Sequence, residues 1–310
     1  MDISIIIVNY KTELHLERCL KSIYESNLEG ISAEIIVVDN NSRKNELKNI
    51  QTLYNKVRCI FLTANYGFGY ACNRGAEESN GRYLLFLNPD IIVLNDSIKE
   101  LSDFAKMNED ISGISGLQIN EKGELQYCFN DFPDIRWMFT EAFGIGGEKI
   151  MSTMLQKIEI KQGLPFEIDW AHGACLMIKR EAFFEVSGFD EKIFLYYEDV
   201  DIQKKIKDNG MKVYCVPTAK FYHYERSSVR DKESQILYHY YMHKNKLYYV
   251  KKYFSIPKNI FIRLMFLLGY SSKIIMLPFR NKFKNNKLEK LKHYLIILGV
   301  YLNIYKLKSF

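Results

Sequence analysis

The sequence lacks the cysteine spacing of a structural zinc site and the N-terminal features of a secreted protein. Its six cysteines are scattered, without a Cys-x-x-Cys pair. This pattern excludes a zinc-ribbon framework and is typical of small buried hydrophobic residues in a reducing compartment. The chain starts directly with the strand-like ISIIIV, with neither a basic leader nor a cleavage site. We therefore expect no secretory signal and a cytoplasmic location.

Long uncharged apolar runs are also missing. The run between Arg263 and Lys273 is nine residues long, and the run from Tyr294 to Tyr305 is twelve. A membrane-spanning helix needs roughly 20 predominantly apolar residues. Neither run is therefore predicted to cross a bilayer.

Acidic residues are nearly absent from the C-terminal part. Residues 243–310 hold 15 Lys or Arg and one acid, Glu289, whereas the rest of the sequence has 28 basic and 36 acidic residues. This asymmetry predicts one domain over residues 1–230 and a basic, aromatic, helical region over residues 231–310. The second region favours either peripheral contact with an anionic membrane surface or a dimerisation surface. Nucleic-acid binding is not expected, because bulky aliphatic residues are mixed with the basic ones.

A dinucleotide-binding fingerprint is missing as well. Such a fingerprint places Gly-x-Gly-x-x-Gly directly after the first strand. Here the first predicted strand is followed by Asn9-Tyr10-Lys11-Thr12, and the pair Gly67-x-Gly69 follows the third strand with Cys72 at the third glycine position. A nicotinamide-dependent dehydrogenase is therefore excluded.

What is present is a folded α/β pattern. Hydrophobic residues make up 47% of the chain and charged residues 26%, which does not indicate disorder. Apolar strands over residues 3–8, 34–38, 57–62 and 83–87 alternate with helical periodicity. This alternation predicts a doubly wound, mostly parallel sheet. Residues 133–162, which contain three neighbouring glycines and several aromatics, are predicted to form a loop region over the sheet.

Polar residues follow the predicted strand ends, where ligands bind in open α/β sheets. Asp39 is suited to accept the imide N–H of a uracil or thymine ring, and Gly67 would let the backbone approach a ribose or phosphate. Asp90 follows a buried strand and is a candidate ligand for Mg²⁺ or Mn²⁺. Each residue alone also fits a turn or cap, but together they favour a nucleotide cleft. The strand-end candidates are Val8, Asn9, Tyr10, Asp39, Asn65, Gly67, Asn88 and Asp90.

A second acidic group lies at Glu198 and Asp199. The aromatic residues just before it would desolvate a carboxylate and raise its proton affinity, so Asp199 is the predicted general base. Acids at a helix start also complement the helix dipole, which leaves a structural alternative. His223 ends a short predicted strand and is a candidate to complete a metal site with Asp90, although a packing role is also compatible with its position.

Six ordered stretches within residues 1–225 resemble a known family. They are VNYKTELHLERCLKSI, EIIVVDNNS, ANYGFGYACNRG, RYLLFLNPDIIV, WAHGACLMIKREAFFEVSGFDE and YYEDVDIQKKIKDNG. Together they resemble the inverting family 2 glycosyltransferases, specifically the rhamnosyltransferase-like branch that builds bacterial surface polysaccharides. The resemblance implies a glycosyltransferase A fold, a nucleotide-sugar donor, a divalent metal and a lipid-linked or oligosaccharide acceptor at the inner face of the cell membrane. A nucleotide-sugar-binding regulatory module without turnover is the alternative.

The resemblance also assigns expected roles to single residues. Asp39 and Asn73 correspond to donor-nucleotide contacts, Asp90 to the last acid of the Asp-x-Asp metal motif, Asp199 to the base and His223 to an additional metal ligand. Many relatives have Asp where this chain has Asn88, which keeps an oxygen ligand but removes one negative charge. The residues expected to shape the sugar or acceptor pocket are Trp170, His172 and Gly173, and a structural role for Trp170 is equally compatible.

Overall fold

The computed structural model describes residues 1–42, 47–145, 154–159, 161–224, 232–279 and 286–305. The chain divides into two compact units. The sheet unit comprises Met1–Phe132, Met154–Phe194 and Glu198–Ser227, and the helical unit comprises Pro133–Thr153, Leu195–Tyr197 and Ser228–Phe310. The predicted boundary between residues 230 and 231 lies at the edge of a stretch outside the described residues. The helical unit also takes in two segments from the first 230 residues.

The bounds of the elements are as follows. The strands are β1 Ile3–Asn9, β2 Ala33–Asp39, β3 Val57–Phe61, β4 Tyr83–Leu87, β5 Ile91–Val93, β6 Ile111–Ile119, β7 Phe129–Asn130, β8 Phe166–Ile168, β9 Trp170–Ala171, β10 Cys175–Lys179 and β11 Lys212–His223. The helices are α1 Glu13–Glu25, α2 Lys48–Leu53, α3 Phe68–Glu77, α4 Ser97–Met107, α5 Ile135–Phe143, α6 Arg180–Glu185, α7 Glu198–Asp208, α8 Lys232–Tyr253, α9 Ile256–Met276 and α10 Lys287–Tyr301.

The first half of the sheet is parallel and covered on both faces. β1 lies between β2 and β4, and β2 pairs with β3, all in parallel. Ile5 on one face of β1 belongs to the same buried cluster as Leu20 of α1. On the other face, a Cβ added to Gly75 of α3 would lie 2.6 Å from Ile6. Strands covered on both faces need unbroken apolar runs, and the predicted doubly wound arrangement is confirmed.

The second half of the sheet is mixed. The order continues from β4 through β10, β6, β11 and β5, and β8 pairs with β11. β10 is antiparallel to β4, while β11 is parallel to β6. The short strand predicted to end at His223 is part of a longer strand, β11, whose register against β6 shifts between Val216 and Lys220. Pro217 lies in this interruption and has no N–H to donate to the ladder.

The expectation of a loop over residues 133–162 is wrong for α5. The Asp134 side chain accepts the N–H of Trp137 at 2.7 Å at the start of this helix, and Gly144 ends it with φ +70°. An Asp N-cap and a left-handed glycine C-cap are ordinary helix boundaries, so the signal was present in the sequence. The rest of the predicted loop lies partly outside the described residues, because 146–153 and 160 are not described.

The helical unit packs α5, α8, α9 and α10 around an apolar core that includes Met138, Val250, Phe266 and Ile297. One helical stretch, Ile256–Phe279, has 24 residues and is long and apolar enough to cross a membrane by length and composition alone. This helix was not predicted as a candidate span from the sequence, because Arg263 and Lys273 interrupt the uncharged run without interrupting the helix. About 39% of its most apolar window is buried within the structure.

Candidate active site

The ends of β1 and β2 carry a buried polar cluster. Asn9 Nδ2 donates to Asp39 Oδ1 at 3.1 Å and to Ser42 Oγ at 3.1 Å. The Ser42 N–H donates to Asp39 Oδ2 at 3.0 Å. Each carboxylate oxygen has a further lone pair, so Asp39 keeps acceptor capacity for the N–H of a nucleotide base. The predicted side chains at these two strand ends therefore lie in direct contact.

The loop before α3 is held by side-chain amides. Asn40 Nδ2 donates to Asn65 Oδ1 at 2.8 Å and to the Gly67 carbonyl at 3.1 Å. Gly67 has φ +95°, and a Cβ there would lie 2.3 Å from the Phe194 carbonyl oxygen. Glycine is required at this position by both its backbone conformation and its neighbour. Its contact with a nucleotide stays a prediction.

Asp90 and His223 face one another. His223 Nε2 lies 3.5 Å from Asp90 Oδ1, and both side chains are largely buried. On the other side of the ring, His223 Nδ1 lies 2.9 Å from Gln118 Oε1. An amide oxygen accepts hydrogen bonds only, so this contact assigns the ring hydrogen to Nδ1. In the neutral imidazole, the lone pair is then on Nε2, the nitrogen that faces the Asp90 carboxylate.

This pair fits a divalent cation. A neutral imidazole nitrogen and a carboxylate oxygen that turn lone pairs toward each other attract a positive ion. The Gln118 contact orients the ring in the way that the hydrogen-bond partners of metal-bound histidines do. Within the described ranges, no group of three or more His, Cys, Asp or Glu side chains converges to form a complete metal cage. Two protein ligands suffice for an ion whose remaining ligands are water and substrate phosphate.

Asp199 lies in the first turn of α7 with its carboxylate fixed by main-chain donors. The Gly173 N–H donates to Oδ2 at 2.9 Å, and the Val200 N–H donates to Oδ1 at 2.8 Å. A Cβ added to Gly173 would lie 3.0 Å from Asp199 Cβ. The carboxylate is therefore held in one orientation, and each oxygen keeps a lone pair that can receive a proton.

Glu198 differs from its neighbour. Its Oε2 has no hydrogen-bond partner in the part of the chain that the structure describes. Burial raises the pKa of Glu198 well above its ordinary value, and the adjacent Asp199 charge raises it further. Two adjacent carboxyl groups in different environments take different protonation states. The structure thus gives Glu198 the environment of a neutral acid beside the Asp199 carboxylate.

A continuous set of contacts joins the predicted base to the predicted metal ligands. The ring centroid of His172 lies 5.9 Å from that of His223, which faces Asp90. The next residue, Gly173, donates to Asp199. All five residues belong to the sheet unit. The structure therefore brings together the side chains that the sequence placed up to 133 positions apart, from Asp90 to His223.

Several predicted site residues have structural partners that the sequence did not reveal. Asn73 is buried, donates to the Phe189 carbonyl at 3.0 Å and accepts the Phe189 N–H at 2.9 Å. Trp170 Nε1 donates to the Asp131 carbonyl at 3.0 Å. Val8 is buried within β1, whereas Tyr10 is 40% exposed. The predicted ligand contacts of these residues, of Asn65 and of the half-buried Asn88 stay predictions.

Sequence reasoning missed Gln118, which contacts the His223 imidazole. Gln118 is fully buried at the end of β6. A single glutamine in a strand has no local motif, and only the sheet order places β6 beside β11. A buried polar residue in an otherwise apolar strand is the one signal the sequence carried.

Comparison with known proteins identifies the class. Residues 4–186 match the model of glycosyl transferase family 2, and residues 155–227 match the model described as the N-terminal domain of galactosyltransferase. The first match covers more than half of the chain. The chain therefore belongs to glycosyl transferase family 2 and is a glycosyltransferase.

Curated relatives indicate which branch of the family this chain resembles. The chain is 27% identical to the N-acetylglucosaminyl-diphospho-decaprenol L-rhamnosyltransferase of Mycobacterium tuberculosis, over 76% of this chain and 80% of the relative. It is also 27% identical to rhamnosyltransferase WbbL of Escherichia coli, over 71% of this chain and 82% of the relative. The predicted similarity to the rhamnosyltransferase-like branch is confirmed.

Solved structures show the same fold. GalNAc-T7, crystallised with UDP, GalNAc and Mn²⁺, superposes with a TM-score of 0.63 at 18% identity, covering 98% of this chain and 56% of that one. TarS 1-349 of S. aureus superposes with a TM-score of 0.54 at 15% identity, covering 98% and 81%. The predicted glycosyltransferase A fold with a helical C-terminal region is confirmed.

Proposed function

We propose that this chain is an inverting glycosyltransferase of surface polysaccharide synthesis. It moves a sugar from a nucleoside-diphosphate donor, dTDP-rhamnose or a UDP-sugar, to a hydroxyl of a lipid-linked or oligosaccharide acceptor. The observation that carries the proposal is the connected set of contacts from Asp199 through Gly173 and His172 to His223 and Asp90. The relatives named as rhamnosyltransferases support this choice of donor and acceptor.

The chemistry assigned to Asp199 is general-base catalysis. Its carboxylate takes the proton of the acceptor hydroxyl, whose oxygen forms the new bond to the anomeric carbon. The bond from that carbon to the donor phosphate breaks on the opposite face, and the nucleoside diphosphate leaves with the electron pair. Attack and departure on opposite faces invert the anomeric centre. The Gly173 and Val200 N–H groups orient the carboxylate for this proton transfer.

The side chains of Asp90 and His223 are assigned to the donor diphosphate. They would hold a divalent cation, which supplies positive charge where negative charge develops on the leaving diphosphate. At the other end of the donor, Asp39 binds the base N–H, and Asn9 and Ser42 keep its carboxylate in place. Asn88 would contribute a neutral oxygen where many relatives have a second acid, so a cation would be held more weakly here.

A regulatory module that binds nucleotide sugars without turnover is the competing function. It would need the Asp39 and Asp90 regions but not a base held by two N–H donors. The geometry around Asp199 therefore favours the enzyme. Transfer and donor binding, measured separately in an Asp199 variant, distinguish the two functions.

The donor is tested by thermal-shift measurements with dTDP-rhamnose, UDP-glucose, UDP-galactose and UDP-N-acetylglucosamine, each with and without Mn²⁺ or Mg²⁺. A ligand at 100 times its dissociation constant stabilises the folded state by about 2.7 kcal/mol. We expect one donor to raise the unfolding temperature, and to do so more strongly with the metal. A flat response to every donor and metal pair would contradict the proposed function.

The helical unit is assigned to peripheral contact with the inner face of the cell membrane. Large apolar residues on α9 are exposed, including Ile260, Leu264, Leu268 and Ile275. They recur at spacings of four and seven residues and so lie along one side of the helix. The surrounding sequence is strongly basic, which favours anionic lipid. A homodimer that covers the same residues is the alternative.

A further inference from the structure

Gln203 is a fully buried polar residue that has no role in the proposed mechanism described above. It lies on α7, one turn after Asp199, and its side chain is 0% exposed. Its Oε1 accepts the Ala171 N–H at 2.7 Å, and its Nε2 donates to the Ala171 carbonyl at 2.7 Å. Nε2 also lies 2.8 Å from the Asp199 carbonyl oxygen. A single side chain thus joins α7 to β9 through both main-chain groups of one residue.

This contact fixes the distance between two functional segments. β9 ends at Ala171, and the chain continues directly into His172 and Gly173. Gly173 then donates to the Asp199 carboxylate, and a Cβ added to Gly173 would make a tight contact of 3.0 Å with Asp199 Cβ. The segment is therefore attached to α7 at two points, the Gln203 amide and the Asp199 carboxylate. A shift of the segment at the Gln203 amide would therefore also displace the Gly173 N–H from the Asp199 carboxylate.

Glutamine is the side chain that this position requires. Both the N–H and the carbonyl of Ala171 are bonded to Gln203, and Ala171 itself is 0% exposed. Glutamate would accept from the N–H but cannot donate to the carbonyl, and methionine would leave both groups without this partner. Buried main-chain groups without partners are costly, so the segment would shift to reach other partners.

We propose that Gln203 is a positioning residue for sugar transfer, which sets the orientation of the Asp199 carboxylate by fixing the Ala171–Gly173 segment against α7. The inference rests on the proposed function, in which Asp199 is the base. Gln203 touches neither donor nor acceptor in this account. Its loss therefore slows the chemical step and leaves donor binding intact, because a small misplacement of a reacting group is enough to reduce the rate.

The test compares Gln203→Met, which keeps the volume, with Ser4→Ala. Ser4 is equally buried, and its Oγ donates to Glu34 and accepts the Gly81 N–H, at the opposite end of β1 from the site. With dTDP-rhamnose and farnesyl-diphospho-N-acetylglucosamine as probes, we expect Gln203→Met to lower kcat between about 10-fold and 100-fold, with donor Kd unchanged within about two-fold. Ser4→Ala should lose stability but retain kcat.

Hydrogen exchange distinguishes a local displacement of the Ala171–Gly173 segment from a general loss of stability, which would raise exchange throughout the sheet unit. Gln203→Met should raise exchange in peptides covering residues 170–175 and the start of α7, whereas strands β1 to β3 stay protected. If Gln203→Met does not fold, Gln203→Asn keeps an uncharged amide on a side chain one methylene shorter and should give the same kcat and exchange pattern at smaller amplitude.

The decisive control is the double variant with Asp199→Asn. If Gln203 acts through Asp199, adding Gln203→Met to Asp199→Asn should lower the residual rate by less than two-fold. Wild-type kcat in Gln203→Met, with Asp199→Asn inactive, would overturn this inference alone. A wild-type rate in Asp199→Asn would instead overturn the proposed base.

Discussion

The two units of this protein distribute polarity in opposite ways. In the sheet unit, the buried strands are apolar along their length, and polar side chains collect at strand ends, as with Asn9 and Asp39. In the helical unit, charged groups lie inside: Lys246 is 1% exposed and Lys273 is 9% exposed. Apolar side chains of α9 lie outside, with Leu268 at 66% exposure. A row of large exposed apolar side chains on one helix suits a surface that contacts something less polar than water.

The interior charge of the helical unit is paired. Lys246 Nζ bonds Glu141 Oε1, and its cation lies 5.3 Å from the Trp137 ring centroid and 5.1 Å from that of Phe266. Burial lowers the pKa of Lys246, while the Glu141 carboxylate opposes that shift. Such a pair is weak evidence for net stabilisation, but removing one partner leaves the other charge buried. The stability of the helical unit is therefore expected to be most sensitive to substitution of this ion pair.

The largest effect is expected from Lys246→Met. Leaving the Glu141 carboxylate, whose side chain is 27% exposed, without its cation should cost about 2 to 3 kcal/mol and lower the unfolding temperature by several degrees. Differential scanning calorimetry measures the change. Lys244→Met is the matched control, because Lys244 is two residues earlier on α8 and exposed. Equal losses in both variants would show that the buried pair has no special role.

The exposed face of α9 is tested by the double variant Leu264→Gln, Leu268→Gln. If this face enters a bilayer, losing two apolar contacts should weaken binding to anionic phosphatidylglycerol vesicles at least about 10-fold. Vesicle sedimentation measures it. The control is Leu53→Gln, Leu164→Gln, which changes similarly exposed leucines of the sheet unit. Unchanged sedimentation in the α9 variant, with a change from dimer to monomer in ultracentrifugation, would favour the dimer instead.

In the sheet unit, Gln118→Leu should weaken metal binding about 10-fold to 100-fold, because a partner that orients a metal-binding imidazole is lost. Electron paramagnetic resonance of Mn²⁺ in the presence of dTDP gives the affinity directly. Gln126→Leu is the comparison, since Gln126 donates to the His223 carbonyl at 3.2 Å and not to its ring. An equal affinity for Mn²⁺ in wild type and Gln118→Leu would remove His223 from the metal site.

A smaller effect is expected from Glu198→Gln. The folded pKa of Glu198 lies above the unfolded one, so the folded state binds the proton more tightly and stability falls as pH rises from about 4.3 toward the folded pKa. Glutamine removes this loss. The variant should therefore unfold a few degrees higher than wild type at pH 8 and nearly equally at pH 5. The exposed Glu185→Gln should show no such trend, and a constant difference across pH would contradict the raised pKa.

The contrast between the units also explains which secondary-structure elements could be predicted from the sequence. Strands β1, β2 and β4 were predicted because strands covered on both faces need the unbroken apolar runs visible at Ile3, Ile35 and Leu84. Their strand-end residues followed from sheet geometry alone. The helix α5 was missed because aromatic and glycine content outweighed the capping pattern of Asp134 and Gly144.

Contacts between distant segments could not be predicted in the same way. Gln118 meets His223 only because β6 pairs with β11, and Gln203 meets Ala171 only because α7 packs beside β9. Neither glutamine has a local signature. The family resemblance assigned the same roles to Asp199 and His223 as the sequence pattern had, but a resemblance carries residue roles and not the side chains that hold those residues in place.

The most direct test of the account is sugar transfer and donor binding measured side by side in Asp199→Asn. Loss of a general base reduces the rate about 10²-fold to 10⁴-fold, whereas the amide oxygen still accepts one of the two N–H groups, of Gly173 or Val200, that hold the carboxylate. We predict that transfer from dTDP-rhamnose falls by that factor while the donor Kd stays within about two-fold of wild type. Transfer at the wild-type rate, with donor binding intact, would contradict the assignment of Asp199 as the base.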